Sequence, residues 1–361
     1  MAGKIIAEGK GHDLFNVEIQ KTELLKVIPG HLKYYFNPPV FALPFAGLSC
    51  FPLMPAYWIW TVLSLIALFI GVFLITSLSG LKGREKWLFG TAALAFEPTY
   101  HNLHWGNVSA FVLLLAALFF RDLLAGKDQR AGVWLALLMI KPELFLIPAM
   151  VVAIKRKWLF LKGYLGMGLL LLILSLAIVG LDGFGDYIKM NLEAARSYTE
   201  VQTELHLSNM ISFRAFFVRF LYGTAIAEIF SFIYTALSLF LLWMVWRGDW
   251  KTDLTRFGLQ WSLTFLVSLL VAPHVYLQSL ILIFPAAAMF LHGSNYVNAF
   301  RFHYVFPIGI LSAVALSWLP EIKTAMGLTI IQLALFSATL FLAWILLVHG
   351  QAVVEKKYGN Q

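Results

Sequence analysis

Pro55-Ala-Tyr-Trp-Ile-Trp-Thr-Val-Leu-Ser-Leu-Ile-Ala-Leu-Phe-Ile-Gly-Val-Phe-Leu-Ile-Thr-Ser-Leu78 contains no charged residue, and Lys82-Gly83-Arg84-Glu85-Lys86 follows closely. An apolar run of this length crosses the hydrocarbon core of a bilayer as a helix, which needs about 20 residues. The basic cluster behind it marks that end as cytoplasmic, because positively charged loops stay inside.

Working outward, Trp158–Gly180, Thr224–Trp246 and Ala325–Val348 are runs of the same kind. Leu88–Ala95, Val108–Phe120, Gly258–Ala272, Tyr276–Leu291 and Tyr304–Leu319 are shorter ones. The chain is 60% hydrophobic and only 13% charged, whereas soluble domains carry about 25% charge. Helices satisfy their own backbone in lipid, so the expected fold is an all-α polytopic membrane protein of about nine to eleven segments. Residues 1–361 are expected to form a single integral membrane domain.

The single cysteine, Cys50, excludes a disulfide framework and a cysteine metal cluster. The net charge of +8 sits in short loops, where it sets orientation and meets anionic headgroups. Nucleic acid is therefore not an expected partner; the bilayer is. No signal peptide opens the chain, since Met1–Tyr35 carries five Lys against four Asp/Glu and has no apolar core.

Polar residues divide into two sets. Lys82–Lys86, Arg121–Arg130, Lys155–Lys162, Arg247–Arg256 and Glu355-Lys356-Lys357 are basic and fit the cytoplasm, which places the C-terminus inside. The alternate connections, Glu97–Gly106, Leu181–Gly223, Pro273-His274 and Pro320–Thr324, then lie outside with the N-terminal segment. Residues 1–54 read as an outer-face segment. In it, Asn37-Pro38-Pro39-Val40 is either a turn entering a helix or the support of a half-helix at a cavity rim.

Arg130–Lys155 resists simple threading, because it lies between two basic loops yet holds only one helix-length of apolar sequence. Lys141-Pro142-Glu143 interrupts its middle, where proline breaks the helical ladder. Two half-helices in a re-entrant or broken hairpin, with Lys141-Pro142 at the tip, reconcile these facts; one tilted helix is the alternative. Leu181–Gly223 reads as a long outer-face loop. The spacing of Met210, Phe213, Phe216, Phe217, Phe220 and Leu221 predicts an amphipathic helix at its end, lying on the membrane surface.

Chemistry-bearing residues gather in the alternate set. Ala95-Phe-Glu-Pro-Thr-Tyr-His-Asn-Leu-His-Trp-Gly-Asn-Val-Ser109 places Glu97, His101, His104 and Asn107 between apolar segments, a costly arrangement unless they face water or each other. His101 and His104 are two metal ligands without a third, a weak signal, and neither metal nor cofactor is expected. Lys141 within an apolar segment suits a phosphate. Pro273-His274-Val275-Tyr276-Leu277-Gln278 sets His274, a base near neutral pH, beside Tyr276.

The order Gly11–Asn16, Asn37-Pro38-Pro39, Trp105-Gly106-Asn107-Val108-Ser109, Ile140-Lys141-Pro142 and Ala272-Pro273-His274 resembles glycosyltransferase family 87. That family comprises GT-C-type mannosyltransferases that use polyprenyl-phosphate mannose. The resemblance implies a GT-C-like bundle in the plasma membrane. It also implies transfer of mannose or another hexose from a polyprenyl phosphate donor to a lipid or glycan hydroxyl outside. His104, His274 and Glu97 are then candidate catalytic groups. Lys141, Arg196, Arg214, Asn107 and Tyr276 are candidate substrate contacts. Relatives usually read Gly-Gln-x-Asn where this chain has Gly106-Asn107-Val108-Ser109. The resemblance further implies an upstream helix and an Asp-Phe-x-x-(Phe/Tyr)-Tyr motif, whose Asp is the family's candidate base. Met1 stands just past where that motif ends, so the chain as numbered is expected to start downstream of it and to lack activity. The rival class is a transporter or flippase for an amphipathic anion, built around discontinuous helices.

Overall fold

The structure, a computed structural model, describes residues 1–27, 34–196, 210–221, 225–248, 250, 255–273, 275–293, 312–319 and 325–358. In chain order the helices are α1 (Ala2–Ala7), α2 (Val17–Val27), α3 (Leu43–Leu48), α4 (Leu53–Leu78) and α5 (Gly83–Ala95). Next come α6 (Glu97–His104), α7 (Ser109–Leu124), α8 (Asp128–Leu137), α9 (Pro142–Ile154) and α10 (Trp158–Arg196). The last are α11 (Phe213–Phe220), α12 (Ala225–Val245), α13 (Thr255–Val271), α14 (Ile283–Gly293) and α15 (Ala325–Tyr358). Among the described residues the only β pairing is a bridge between Met210 and Tyr276. The protein is thus an all-α polytopic membrane protein.

Among the described residues, four stretches are long and apolar enough to cross a membrane: Leu53–Leu78, Trp158–Glu193, Ala225–Val245 and Gly327–Leu347. Shorter apolar helices fill in at Pro39–Leu48, Pro142–Ile154, Arg256–Val271 and Leu277–His292. Helix α4 shows why such a sequence is stable in lipid. Its 26 residues span about 39 Å at 1.5 Å per residue. Thr61, Thr76 and Ser77 donate their hydroxyls to the carbonyls of Tyr57, Val72 and Phe73 four residues earlier, so these three donors are satisfied within the helix. Ala67, Leu68, Gly71, Val72 and Ile75 turn inward, while Val62, Ile66, Phe69 and Phe73 face out.

The centre of the bundle is aromatic. Trp261 on α13 meets Phe119 at 5.1 Å and Trp246 at 5.4 Å between ring centroids, and Phe265 bridges Phe120 and Phe145. These contacts establish the predicted hairpin. Helix α8 runs back along α7, since Trp134 donates to Asp122 at the end of α7 and Lys141 donates to Ser109 at its start. Helix α9 then returns, because Lys155 at its C-terminus donates to the Gly248 carbonyl, just beyond Trp246. Both ends of the hairpin therefore reach the end of the bundle marked by Trp261.

Two readings of the chain change. Residues 181–196 are helix, not loop: Gly180 kinks α10 at φ 71°, ψ −178° and the helix resumes. Its second half packs with Leu14, Phe15 and Tyr35 of the N-terminal segment in a separate apolar cluster. The amphipathic helix forms as α11, but its Phe213 packs against Tyr234 of α12 and Phe336 of α15. Phe213 is thus spent on the bundle, while Phe220 at the other end of the helix stays 52% exposed. The middle of the 181–223 connection and Pro320–Thr324 lie outside the described residues.

Candidate functional site

Lys141 is placed by the proline behind it. A residue before proline is sterically driven out of the α region, and Lys141 adopts φ −124°, ψ 74°. The last turn of the preceding helix tightens to a 3-10 turn over Leu138–Ile140, and Pro142 opens α9 at a position where its missing N–H costs nothing. The side chain of Lys141 is buried with 8% exposure. Its ammonium donates to Ser109 Oγ at 3.1 Å and Ser279 Oγ at 3.3 Å.

Each hydroxyl is itself held. Ser109 opens α7, and its N–H is accepted by Asn102 Oδ1 at 2.9 Å and Asn107 Oδ1 at 3.1 Å. Its hydroxyl donates to Asn107 Oδ1 at 2.7 Å, which leaves its lone pairs for the ammonium. Ser279 lies in the 3-10 turn Leu277–Leu282, with its N–H on the Tyr276 carbonyl at 2.9 Å. Three stretches far apart in sequence thus meet at one cation: Asn107–Ser109, Lys141-Pro142 and Tyr276–Ser279.

Tyr276 is fixed by the bridge to Met210, and the Ile211 N–H donates to the Val275 carbonyl at 2.8 Å. Arg219 and Gln332 brace the other strand of this bridge through the Met210 and Ser212 carbonyls. Burial pushes the Tyr276 phenol up from its ordinary value, and the negative charge of Glu143 adds to the effect. The phenol therefore stays a donor.

Helix α6 joins this cluster through Asn102. Buried Glu97 lies 3.3 Å from His101 Nδ1. The Trp105 indole donates to His101 Nε2 at 3.1 Å, and an indole N–H only donates. We therefore assign the imidazole proton to Nδ1, facing Glu97. His104 is exposed, stacks on Tyr100 and meets Trp105 edge-on. Among the described residues no group of three or more His, Cys, Asp or Glu side chains is placed to hold a metal.

The structure therefore brings Lys141, Asn107 and the Tyr276 backbone together through two serines. It pairs Glu97 with His101 and leaves His104 against an aromatic face. Arg214 donates to the Glu228 carboxylate at 3.0–3.3 Å, which ties α11 to α12. His274 and the side chain of Arg196 lie outside the described residues. Ser279 was not singled out from sequence. It is a small hydroxyl at the start of an apolar run, between Gln278 and Leu280, and nothing local marks it.

Residues 35–273, two thirds of the chain, match the family model of glycosyltransferase family 87. The match takes in the stretches around Asn107, Lys141 and Pro273, though not Gly11–Asn16. No curated protein and no solved structure matches the chain. A helical membrane body with these stretches joined at one buried cation, under a family match of this extent, leads to one conclusion: the chain belongs to glycosyltransferase family 87 and is a membrane glycosyltransferase.

Proposed function

We propose that the protein transfers a hexose, mannose being the first to test, from a polyprenyl phosphate to a hydroxyl of a lipid or glycan acceptor. We place the reaction at the extracytoplasmic face of the plasma membrane, with the C-terminus cytoplasmic. In the transfer the bond between sugar C1 and the phosphate oxygen breaks, and the phosphate leaves with the electron pair. The acceptor oxygen bonds to C1 and its proton passes to a base.

The observation that carries this reading is the Lys141 ammonium, held by two neutral hydroxyls at the break between α8 and α9. A preorganised cation in a low-dielectric site stabilises the charge that gathers on a leaving phosphate. Removing one such group costs about 10²–10³ in rate. The Tyr276 phenol supplies a neutral donor nearby, and Glu97, His104 and His274 are the groups to test as base.

The test is transfer from radiolabelled polyprenyl-phosphate hexose in membranes carrying the full-length protein, with any residues encoded ahead of Met1, or its Lys141→Ala variant. Transfer by the first and a drop of about 10²-fold or more in the second is expected. Undiminished transfer by Lys141→Ala, or none by the parent, overturns the reading.

A further inference from the structure

The end of the bundle opposite Lys141 carries a second concave feature. Between α9 and α12 lies a cavity of about 240 Å³. Ile147, Met150 and Ile154 line one wall, Trp243 lines the other, and Lys155 and Arg247 sit where the two helices end. Met150, Ile154 and Trp243 are 46%, 62% and 47% exposed, so the crevice opens sideways to where a bilayer surrounds the bundle.

Its cations are held in place. Lys155 donates to the Gly248 carbonyl and lies 6.0 Å from the Trp246 ring centroid. The Arg247 guanidinium lies 4.3 Å from the Trp243 ring centroid, and Lys157 lies 5.2 Å from that of Trp250. Aromatic faces fix such cations electrostatically, and tryptophans of this kind belong at the headgroup level of a membrane. Asp249 and Asp253 in the same connection lie outside the described residues.

An apolar trough along a helix, ending in two cations at an aromatic belt, matches one amphipathic chemistry: an acyl chain that ends in a phosphate. We propose that this crevice binds an anionic phospholipid. Its chain lies along α9 from Ile154 toward Ile147, about 10 Å of helix, and its headgroup phosphate rests between Lys155 and Arg247. The crevice mouth and the reaction site are at opposite ends of α9, about 21 Å apart at 1.5 Å per residue. A donor with its phosphate at Lys141 therefore leaves the lower site open.

The chain has 12 tryptophans, so the test isolates one. Quenching of fluorescence by acyl-brominated phosphatidylglycerol and phosphatidylcholine is measured on the purified full chain and on Trp243→Phe, and the difference is taken. A cation facing a net anionic headgroup is worth about fivefold in binding, and in phosphatidylcholine the choline cation offsets the phosphate charge, so phosphatidylglycerol should bind roughly 25-fold more tightly through the pair. Lys155→Gln/Arg247→Gln should erase that preference. Met150→Phe, which narrows the trough without touching a charge, should abolish the Trp243 signal for both lipids. Equal quenching by the two lipids overturns the proposal, as does a preference that survives in Lys155→Gln/Arg247→Gln. Displacement of phosphatidylglycerol by a lower concentration of polyprenyl phosphate would instead give the trough to an isoprenoid chain and overturn it too.

Discussion

The ammonium of Lys141 and the hydroxyl of Ser279 lie 3.3 Å apart although 138 positions of sequence separate them. Ser109, 32 positions before Lys141, closes the other side. Both partners are serine hydroxyls, and their oxygens take the place of water around the ammonium. A hydrogen bond to a charged group contributes about 1.5–3 kcal/mol. We expect Ser109→Ala and Ser279→Ala each to lower kcat/KM for transfer by about 10- to 100-fold. In a Lys141→Ala background either change should add little, because residues acting through one group are not additive. Full additivity across the double-mutant cycle would separate the serines from the lysine.

Helices α8 and α10 meet backbone to backbone at Gly132. A Cβ there would overlap the Phe160 carbonyl oxygen, while one on Gly166 meets nothing. Gly132→Ala should cost about 1–3 kcal/mol through overpacking, and Gly166→Ala should be close to neutral. Thermal unfolding in detergent distinguishes them, and equal midpoints would contradict the packing.

Gly180 presents the opposite case, with open space around it but φ 71° and ψ −178°. That conformation belongs almost exclusively to glycine and costs other residues about 1–3 kcal/mol. Gly180→Ala should therefore destabilise without any clash. Because residues 181–196 lie beyond the kink, transfer per folded molecule should fall as well. An unfolding midpoint equal to that of the parent would argue against the kink.

Arg214 is nearly buried, while the Glu228 side chain is 44% exposed. Breaking a fully buried pair costs about 3–5 kcal/mol, and the exposure of Glu228 reduces this to about 1–3 kcal/mol for Glu228→Gln. Transfer per folded molecule should not change. A selective rise in KM for the lipid donor in Arg214→Lys, with stability intact, would restore Arg214 to a phosphate role.

The break at Lys141 was legible because its cause is local: proline restricts the residue before it whatever surrounds them. The membrane spans were legible for the same reason, since length and lack of charge suffice. Residues 181–196 were not. Gly180, Asp182, Gly183 and Gly185 read as loop formers, yet only Gly180 bends the chain. Gly183 instead serves contact, with His12 packed against the place a Cβ would take. The pairing of Arg214 with Glu228 was not legible, because nothing in the neighbourhood of Arg214 announces a carboxylate 14 residues on. Ser279 looked like any hydroxyl in an apolar run. Its role depends on a lysine that only the folded bundle delivers.

The cradle of Lys141 draws one wall each from α7, the α8–α9 hairpin and the turn after α13. None of these pieces alone can offer the ammonium its two oxygens. During synthesis the lysine emerges long before Ser279, so the growing chain holds it with half its cradle missing. On the role proposed for Lys141, assembly becomes a checkpoint: sugar transfer would begin only once the third piece arrives. A chain stalled before that turn would sit in the membrane, largely helical, and remain silent.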